Sequence, residues 1–413
     1  MSQVIHLALL GCGVVGQGVL TQLKIQKKLL KSRQVNFAIT KVLVRDPAKY
    51  QDLAREHQLE LVTDIQDILT DPQIDIVIEV MGGFQPAEDY ILACFAAGKH
   101  VVSANKNLIA KNGPLLIATA QENQVAFYYE GAVCGGVPIL RTIAQAYSGD
   151  EIFNVAGIVN GTCNFILSQM SQKQLNYQEA LVLAQKNGFA EADPTNDVAG
   201  WDASYKLVIL AHFAYGRKVA LEDLKVAGIE NVTAQDIKMA QQIGYRIKLI
   251  AETKKVGNAI TLIVWPTLVF ESHSLGQIEN ENNGVFVKSN NLGEALYIGP
   301  GAGSQPTSNS VVTDLITVAS EMKLNITGQT FHSFDEAGTV VPQNELQKTF
   351  VVFLTKELLT TRQILATIKE EGFTVTFQEL KDNGLALFTQ RLSFNEVERL
   401  EKFIDGKAYP IFE

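Results

Sequence analysis

The stretch "VIHLALLGCGVVGQG", residues 4–18, constrains the chain more than any other. A mostly apolar run, residues 4–10, leads into Gly11-x-Gly13-x-x-Gly16, and an apolar-periodic run continues from Val14 to Leu23. The pattern predicts a strand, a glycine turn and a helix. Glycines let the backbone approach a phosphate closely, and the helix N-terminus adds free N–H groups and a partial positive charge. Alone the motif is weak, because any strand–helix turn can carry glycine. Its weight comes from the alternation that follows. Further strands are predicted at 35–44, 75–80, 99–104 and 125–130, with helical patterns at 47–58, 64–70, 87–97 and 113–122.

Strand alternating with helix predicts a parallel sheet covered on both faces. The fold class is therefore α/β, with a Rossmann-type doubly wound sheet over residues 1–130 as a dinucleotide-binding domain. A helix over 311–322, after the glycine-rich turn 299–310, has the length to pack back on it, so that a segment of about 305–325 completes the domain. Residues 131–304 mix helices and strands and read as an α+β substrate-binding and dimerisation domain. A loop-like connection at 324–348 leads to 349–413, where the order βαββαβ predicts a third, small domain. Ser393 and Glu396 have capping-box spacing at its last helix.

At 413 residues, 46% hydrophobic and 19% charged, the chain is a globular protein with room for a large core. A net charge of −9 without a basic patch argues against nucleic acid. No apolar stretch reaches the ~18 residues of a membrane span, and the N-terminus lacks the pattern of a signal peptide. Four scattered cysteines without C-x-x-C suit a reducing, cytoplasmic setting. The six histidines show no metal spacing, and His100 and His212 sit in apolar runs that predict core positions.

Chemistry concentrates in "GFAEADPTNDVAGWDASYKL", residues 188–207, where Glu191, Asp193, Asp197, Asp202 and Lys206 crowd before an apolar run. Asp202 and Lys206 are four apart and share a helix face. On an exposed helix this would be a weak surface pair. In a helix as apolar as "WDASYKLVILAHFAYG" the pair is desolvated, which costs stability unless it has good partners or a task. Glu191 and Asp193 can equally be turn and capping residues. Taken together, the carboxylates form a site for an amine-bearing substrate. Lys106 follows the strand 99–104, at the sheet end that faces a ligand crevice. Arg45 closes the second strand, where it suits the 2′-phosphate of NADP; Asp46 follows at once and could hold the ribose of NAD.

On these residues the chain resembles the homoserine dehydrogenases. "GCGVVG", "EVMGG", "SANKNLIA", "YEGAVCGGVPIL", "GIVNGTCNFIL", "GFAEADPTNDVAGWDASYKLVILA" and "GPGAGSQPTSNSVVTDLI" occur in the family's order over residues 1 to about 325. The resemblance implies reversible hydride transfer between NAD(P)H and L-aspartate 4-semialdehyde, giving L-homoserine, in a homodimer or dimer of dimers. It implies that Glu191, Asp197, Asp202, Gly161 and Thr162 contact substrate, and that Lys206 protonates the aldehyde oxygen. It implies that Lys106 contacts cofactor and reacting groups, and that Gly11, Gly13, Val14, Val15, Gly16, Arg45, Ser103, Gly188 and Gly303 line the cofactor. A monovalent cation, Na⁺ or K⁺, would sit on the Glu130 carboxylate and the main-chain oxygens of Val133, Gly135 and Val137.

There are departures from the family pattern. Phe189 stands where a tyrosine is common, and Cys134 and Cys163 replace small or hydroxyl residues. The tail resembles an ACT-type regulatory domain, but "TKELLTTRQ" replaces the usual Asp-x-Pro-Gly-like turn, which weakens the case for threonine as effector. Two competing readings are a dinucleotide-binding sensor without catalysis and a thioester-forming semialdehyde enzyme using Cys134. The intact set Lys106, Glu191, Asp202 and Lys206 argues against the first, and the apolar setting of Cys134 against the second.

Overall fold

The computed structural model describes residues 4–327, 336–337, 339–355 and 360–413. The chain divides into two compact units. The first combines Met1–Ile152, Val208–Leu221 and Gly299–Ala337; the second combines Phe153–Leu207, Glu222–Ile298 and Gly338–Glu413. Residues 131–152, assigned from sequence to the second domain, thus belong with the first unit, and the C-terminal module belongs with the second.

The first unit holds a six-stranded sheet: β1 (Val4–Leu10), β2 (Asn36–Leu43), β3 (Glu60–Val62), β4 (Ile74–Glu79), β5 (His100–Ser103) and β6 (Phe127–Tyr128). All neighbours are parallel, in the order β3-β2-β1-β4-β5-β6. The order reverses between β1 and β4, so the strand ends there open a crevice for a ligand. The middle strands are continuous apolar runs because helices cover both faces. The helix Ser304–Leu324 packs on Val14–Ile25. A Cβ at Gly18 would lie 2.5 Å from Ser304 Oγ, so the close approach of these helices requires glycine there.

Two helix starts differ from the sequence reading. The helix predicted at 113–122 begins at Lys106 and carries Pro114 inside it. The pair Gly113-Pro114 reads as a breaker, yet proline removes one hydrogen bond and the buried apolar face outweighs that loss. The turn read over 299–310 is helical from Ser304. Pro306 is tolerated because first-turn N–H groups have no partner inside the helix.

In the second unit, a mixed sheet runs in the order Gly293–Pro300, Asn282–Ser289, Ile152–Ile158, Tyr245–Val256, Ala259–Phe270 and Thr339–Val340. The helices Gly161–Lys173 and Ala234–Gln242 pack against its strand Tyr245–Val256. The C-terminal module follows the predicted βαββαβ order, with helices Thr361–Glu370 and Phe394–Ile404 and antiparallel strands ordered Val375–Glu379, Gly384–Ser393, Gln347–Thr355 and Lys407–Pro410. Ser393 and Glu396 form the expected capping box. The module's core, with Phe350, Val352, Leu387 and Phe394, includes Ile263 of the larger sheet. Buried Lys348 pairs with buried Glu252, and Lys407 and Tyr409 both bond Asp236. Residues 356–359 of the expected effector turn, and 328–335 and 338 of the connection, lie outside the described residues.

Candidate active site

The crevice of the first unit is a cleft of about 470 Å³ lined by Gly11, Cys12, Gly13, Arg45, Asp46, Lys49, Tyr50, Met81 and Gly82. Gly11 turns the chain out of β1 at φ +91°, a conformation that disfavours a side chain. A Cβ at Gly16 would lie 2.5 Å from Gly11 O, so the third glycine lets the helix close on the turn. A Cβ at Gly13 would meet nothing within 4 Å: the space there is open toward the cleft. The following helix Val14–Ile25 has no side-chain cap among the described residues, which leaves its first N–H groups for an anion. Val14 is exposed and Val15 half-buried at that helix start. Gly303, at φ +116°, precedes the helix Ser304–Leu324 in the same unit.

Arg45 and Lys49 both line the cleft. The Asp46 carboxylate is turned to its own backbone, where it accepts from Ala48 N at 3.0 Å and caps the turn Pro47–Tyr50. At the end of β4, fully buried Glu79 accepts from Ser103 Oγ at 2.7 Å and from Met81 N at 2.9 Å. Burial pushes its carboxyl up, against these hydrogen bonds. Ser103 in turn accepts from Asn105 N at 3.1 Å, and Asn105 caps the helix that begins with half-buried Lys106. Glu79 thus fixes the turns after β4 and β5. It was missed from sequence because a carboxylate ending a strand looks like an ordinary surface charge.

In the second unit the acidic stretch separates into distinct roles. Asp202 and Lys206 are 4% and 7% exposed, buried as the apolar helix predicted. Lys206 Nζ donates to Asp202 Oδ2 at 2.8 Å and to Val159 O at 2.7 Å. Asn160 Nδ2 donates to the same Asp202 oxygen at 2.8 Å and to Asp197 Oδ1 at 2.7 Å. Thr162 Oγ1 donates to Phe189 O at 2.6 Å and lies 3.4 Å from Asp197 Oδ2. Gly161 opens the helix Gly161–Lys173, and a Cβ there would lie 2.6 Å from Glu281 O. The structure therefore gathers Asp197, Asp202, Lys206, Gly161 and Thr162, and adds Asn160.

Glu191 has an exposed side chain outside this buried cluster, and Gly188 ends the preceding helix at φ +76°. Asp193 accepts from Thr195 N at 3.1 Å and Thr195 Oγ1 at 2.6 Å, which is turn chemistry. Phe189 packs its ring on Phe165. All four cysteines are free and buried, Cys134 included, which suits structural thiols and not a nucleophile. His100 and His212 are buried and accept backbone N–H bonds, from Ala126 and Val219.

The loop Glu130–Val137 lies in the first unit. Glu130 accepts from Leu140 N at 3.0 Å and Arg141 N at 2.7 Å, and its own N–H donates to Asp314. Asp314 pairs with Arg141 at 2.6 Å. Burial, then the Asp314 charge, pushes Glu130 up to about 8, and burial pushes Asp314 up to about 7. Gly135 O accepts from Ser310 Oγ at 2.6 Å, and Cys134 turns the loop at φ +49°. No group of three or more His, Cys, Asp or Glu side chains that could hold a metal ion exists among the described residues.

A glycine turn at the switch point of a 3-2-1-4-5-6 parallel sheet, joined in one chain to a buried carboxylate–lysine cluster, defines a nicotinamide-dinucleotide-dependent oxidoreductase. Comparison with known proteins narrows the class. The family model "Homoserine dehydrogenase, NAD binding domain" matches residues 11–130, and the model "Homoserine dehydrogenase" matches residues 138–316. The homoserine dehydrogenase of Bacillus subtilis is 44% identical over 328 residues, 79% of this chain and 76% of its own. That of Lactococcus lactis is 41% identical over 332 residues, 80% of this chain and 78% of its own. A crystal structure of a homoserine dehydrogenase from Thiobacillus denitrificans superposes with a TM-score of 0.92 at 32% identity, covering 100% of this chain and 99% of that one. A hyperthermophilic archaeal homoserine dehydrogenase solved with NADPH has a TM-score of 0.65 at 25% identity, covering 77% of this chain and 98% of that one. The chain belongs to the homoserine dehydrogenase family. Its reaction is the reversible, nicotinamide-dependent reduction of L-aspartate 4-semialdehyde to L-homoserine, and the reading as an inactive sensor is set aside.

Proposed function

We propose that the buried cluster around Asp202 and Lys206 performs this reaction's proton transfer and holds the substrate's ammonium group. Lys206 gives its proton to the aldehyde oxygen and takes it back in homoserine oxidation. Asp202 keeps Lys206 oriented, and the adjoining Asp197 carboxylate, with Glu191 from the exposed loop, receives the ammonium. Thr162 and Gly161 border the same space. The observation that carries the reading is the Lys206–Asp202 contact at 2.8 Å, between groups that are 7% and 4% exposed. A desolvated pair of this kind is costly without a task.

The dinucleotide fits the first unit, whose open Gly13, uncapped helix start and cleft match a pyrophosphate. Gly11 to Gly16 would hold it, with Ser103 and Lys106 nearer the reacting end and Gly303 as further lining. A dinucleotide held there would supply or accept the hydride of the reaction. We assign NADP as the preferred form: Arg45 and Lys49 both line the cleft, while Asp46 is committed to capping. The NADPH complex of the archaeal relative supports this. Hard oxygen donors at Glu130, Val133, Gly135 and Val137 suit Na⁺ or K⁺. A cation there would offset the buried carboxylates of Glu130 and Asp314 and hold the loop's shape. The C-terminal module we assign as a structural part of the second unit, supported by its shared core and the Lys348–Glu252 pair.

Steady-state kinetics test these roles. The full chain should oxidise L-homoserine with NADP⁺ and prefer it by roughly 10³-fold or more over 4-hydroxybutanoate, which lacks the amino group. Glu191→Gln and Asp197→Asn should narrow that preference, and threonine should leave the rate unchanged. Equal use of both alcohols by wild type would refute the ammonium site.

A further inference from the structure

We propose that Asn160 is a positioning residue of the reaction, its side-chain amide setting the buried carboxylate of Asp202, the half-buried one of Asp197 and, through Asp202, the ammonium of Lys206. The proposal rests on the reading of Lys206 and Asp202 given above. Asn160 is 4% exposed and caps the helix Gly161–Lys173, its Oδ1 accepting from Cys163 N at 2.8 Å. That bond fixes which way the amide faces. Both Nδ2 hydrogens then point away from the helix, one to Asp197 Oδ1 and one to Asp202 Oδ2. The carbonyl of Val159, one residue earlier, takes a bond from Lys206 Nζ. Two consecutive residues of one strand–helix turn therefore hold a carboxylate, a second carboxylate and an ammonium in one arrangement.

Capping alone does not call for asparagine here. Aspartate caps helices as well as asparagine does, and it has nearly the same shape. Only the two N–H donors distinguish them. Two carboxylates within reach of one NH₂ group repel each other, and donors shared between them offset that repulsion. An aspartate at 160 would put a third carboxyl group beside Asp197 and Asp202. One of the three would then hold a proton. Among the described residues, the other ionisable groups about the site include Lys206, Glu230, Tyr177 and the Cys163 thiol; burial keeps that thiol protonated, with Asp197, Asp202 and Glu230 adding to the effect.

The test uses the full chain with Asn160→Asp, Asn160→Ser and Lys206→Ala, measuring kcat and KM for homoserine from pH 6 to 9 and thermal melting. Both Asn160 variants keep a helix cap. Asn160→Ser should lower kcat about 10²-fold at every pH, the scale of a small misplacement. Asn160→Asp should come within about tenfold of wild type at pH 6, where the shared proton restores one donor, and lose about another tenfold by pH 9. A rate limb that falls with pH in Asn160→Asp and is missing from wild type supports the proposal. An Asn160→Asp profile parallel to wild type, with only the melting temperature changed, overturns it. If Lys206→Ala turns over at the wild-type rate, the underlying reading of the site falls instead.

Discussion

Replacing Lys206 by methionine should unfold the second unit more easily, and replacing Asp202 as well should restore part of the loss. Lys206 and Asp202 are 7% and 4% exposed and lie 2.8 Å apart. Lys206→Met leaves the Asp202 carboxylate buried with the Asn160 amide but without its counter-ion. Removing one partner of a buried pair costs about 3–5 kcal/mol. In Lys206→Met/Asp202→Leu neither charge of the pair remains. One Asn160 N–H and the Val159 carbonyl then lose a partner, at about 1–3 kcal/mol each as an upper range. The Val159 carbonyl loses its partner in both variants, so the double variant should be the more stable by about 2 kcal/mol, the difference between the unpaired charge and the unpaired N–H. The assay is urea unfolding followed by tryptophan fluorescence. Both tryptophans, Trp201 and Trp265, lie in the second unit with the pair, so the signal reports the relevant structure. Both variants should be inactive. A Lys206→Met protein within about 0.5 kcal/mol of wild type, with no recovery in the double variant, would refute the claim that the pair is desolvated.

Other outcomes follow from single residues. Arg45→Ala should lower kcat/KM for NADP⁺ roughly 10- to 100-fold, the worth of a hydrogen bond to a charged group, and leave NAD⁺ within a few-fold; equal losses for both cofactors would count against the 2′-phosphate role. Lys248 is buried against Asn164 Oδ1 and Ile278 O, and burial pushes it down to about 8. Between pH 8 and the unfolded value of about 10.4 the unfolded chain binds the extra proton, so stability rises with pH. Relative to Lys248→Met, wild type should gain up to roughly 3 kcal/mol across that window, and a pH-independent difference would contradict the account.

The sequence carried the first unit's fold well, because its signals are local. A glycine turn between strand and helix and continuous apolar strands need no knowledge of distant residues. Strand β3 escaped since three residues beginning with Glu60 show no period. The helix starts at Lys106 and Ser304 escaped because proline and glycine there look like punctuation until the buried face is known. In the site, Asp202 and Lys206 were legible from a four-residue spacing on an apolar helix. Asn160 was not, since its partners lie 37 and 42 residues away and an asparagine before a helix reads as an ordinary cap until they are known. Glu79 was hidden for the same reason, holding Ser103 from 24 residues off. Chemistry made by one residue and its helical neighbour shows in a sequence; chemistry made by folding distant segments together does not.

The most direct test of the account is the turnover of Lys206→Ala with aspartate 4-semialdehyde and NADPH, measured beside the calorimetric Kd of homoserine for both proteins. A general acid contributes typically 10²–10⁴-fold. The account predicts that kcat falls by about 10³-fold while homoserine affinity stays within about tenfold. A variant that keeps the wild-type kcat, or loses only substrate affinity, would contradict the assignment of Lys206 as the proton donor.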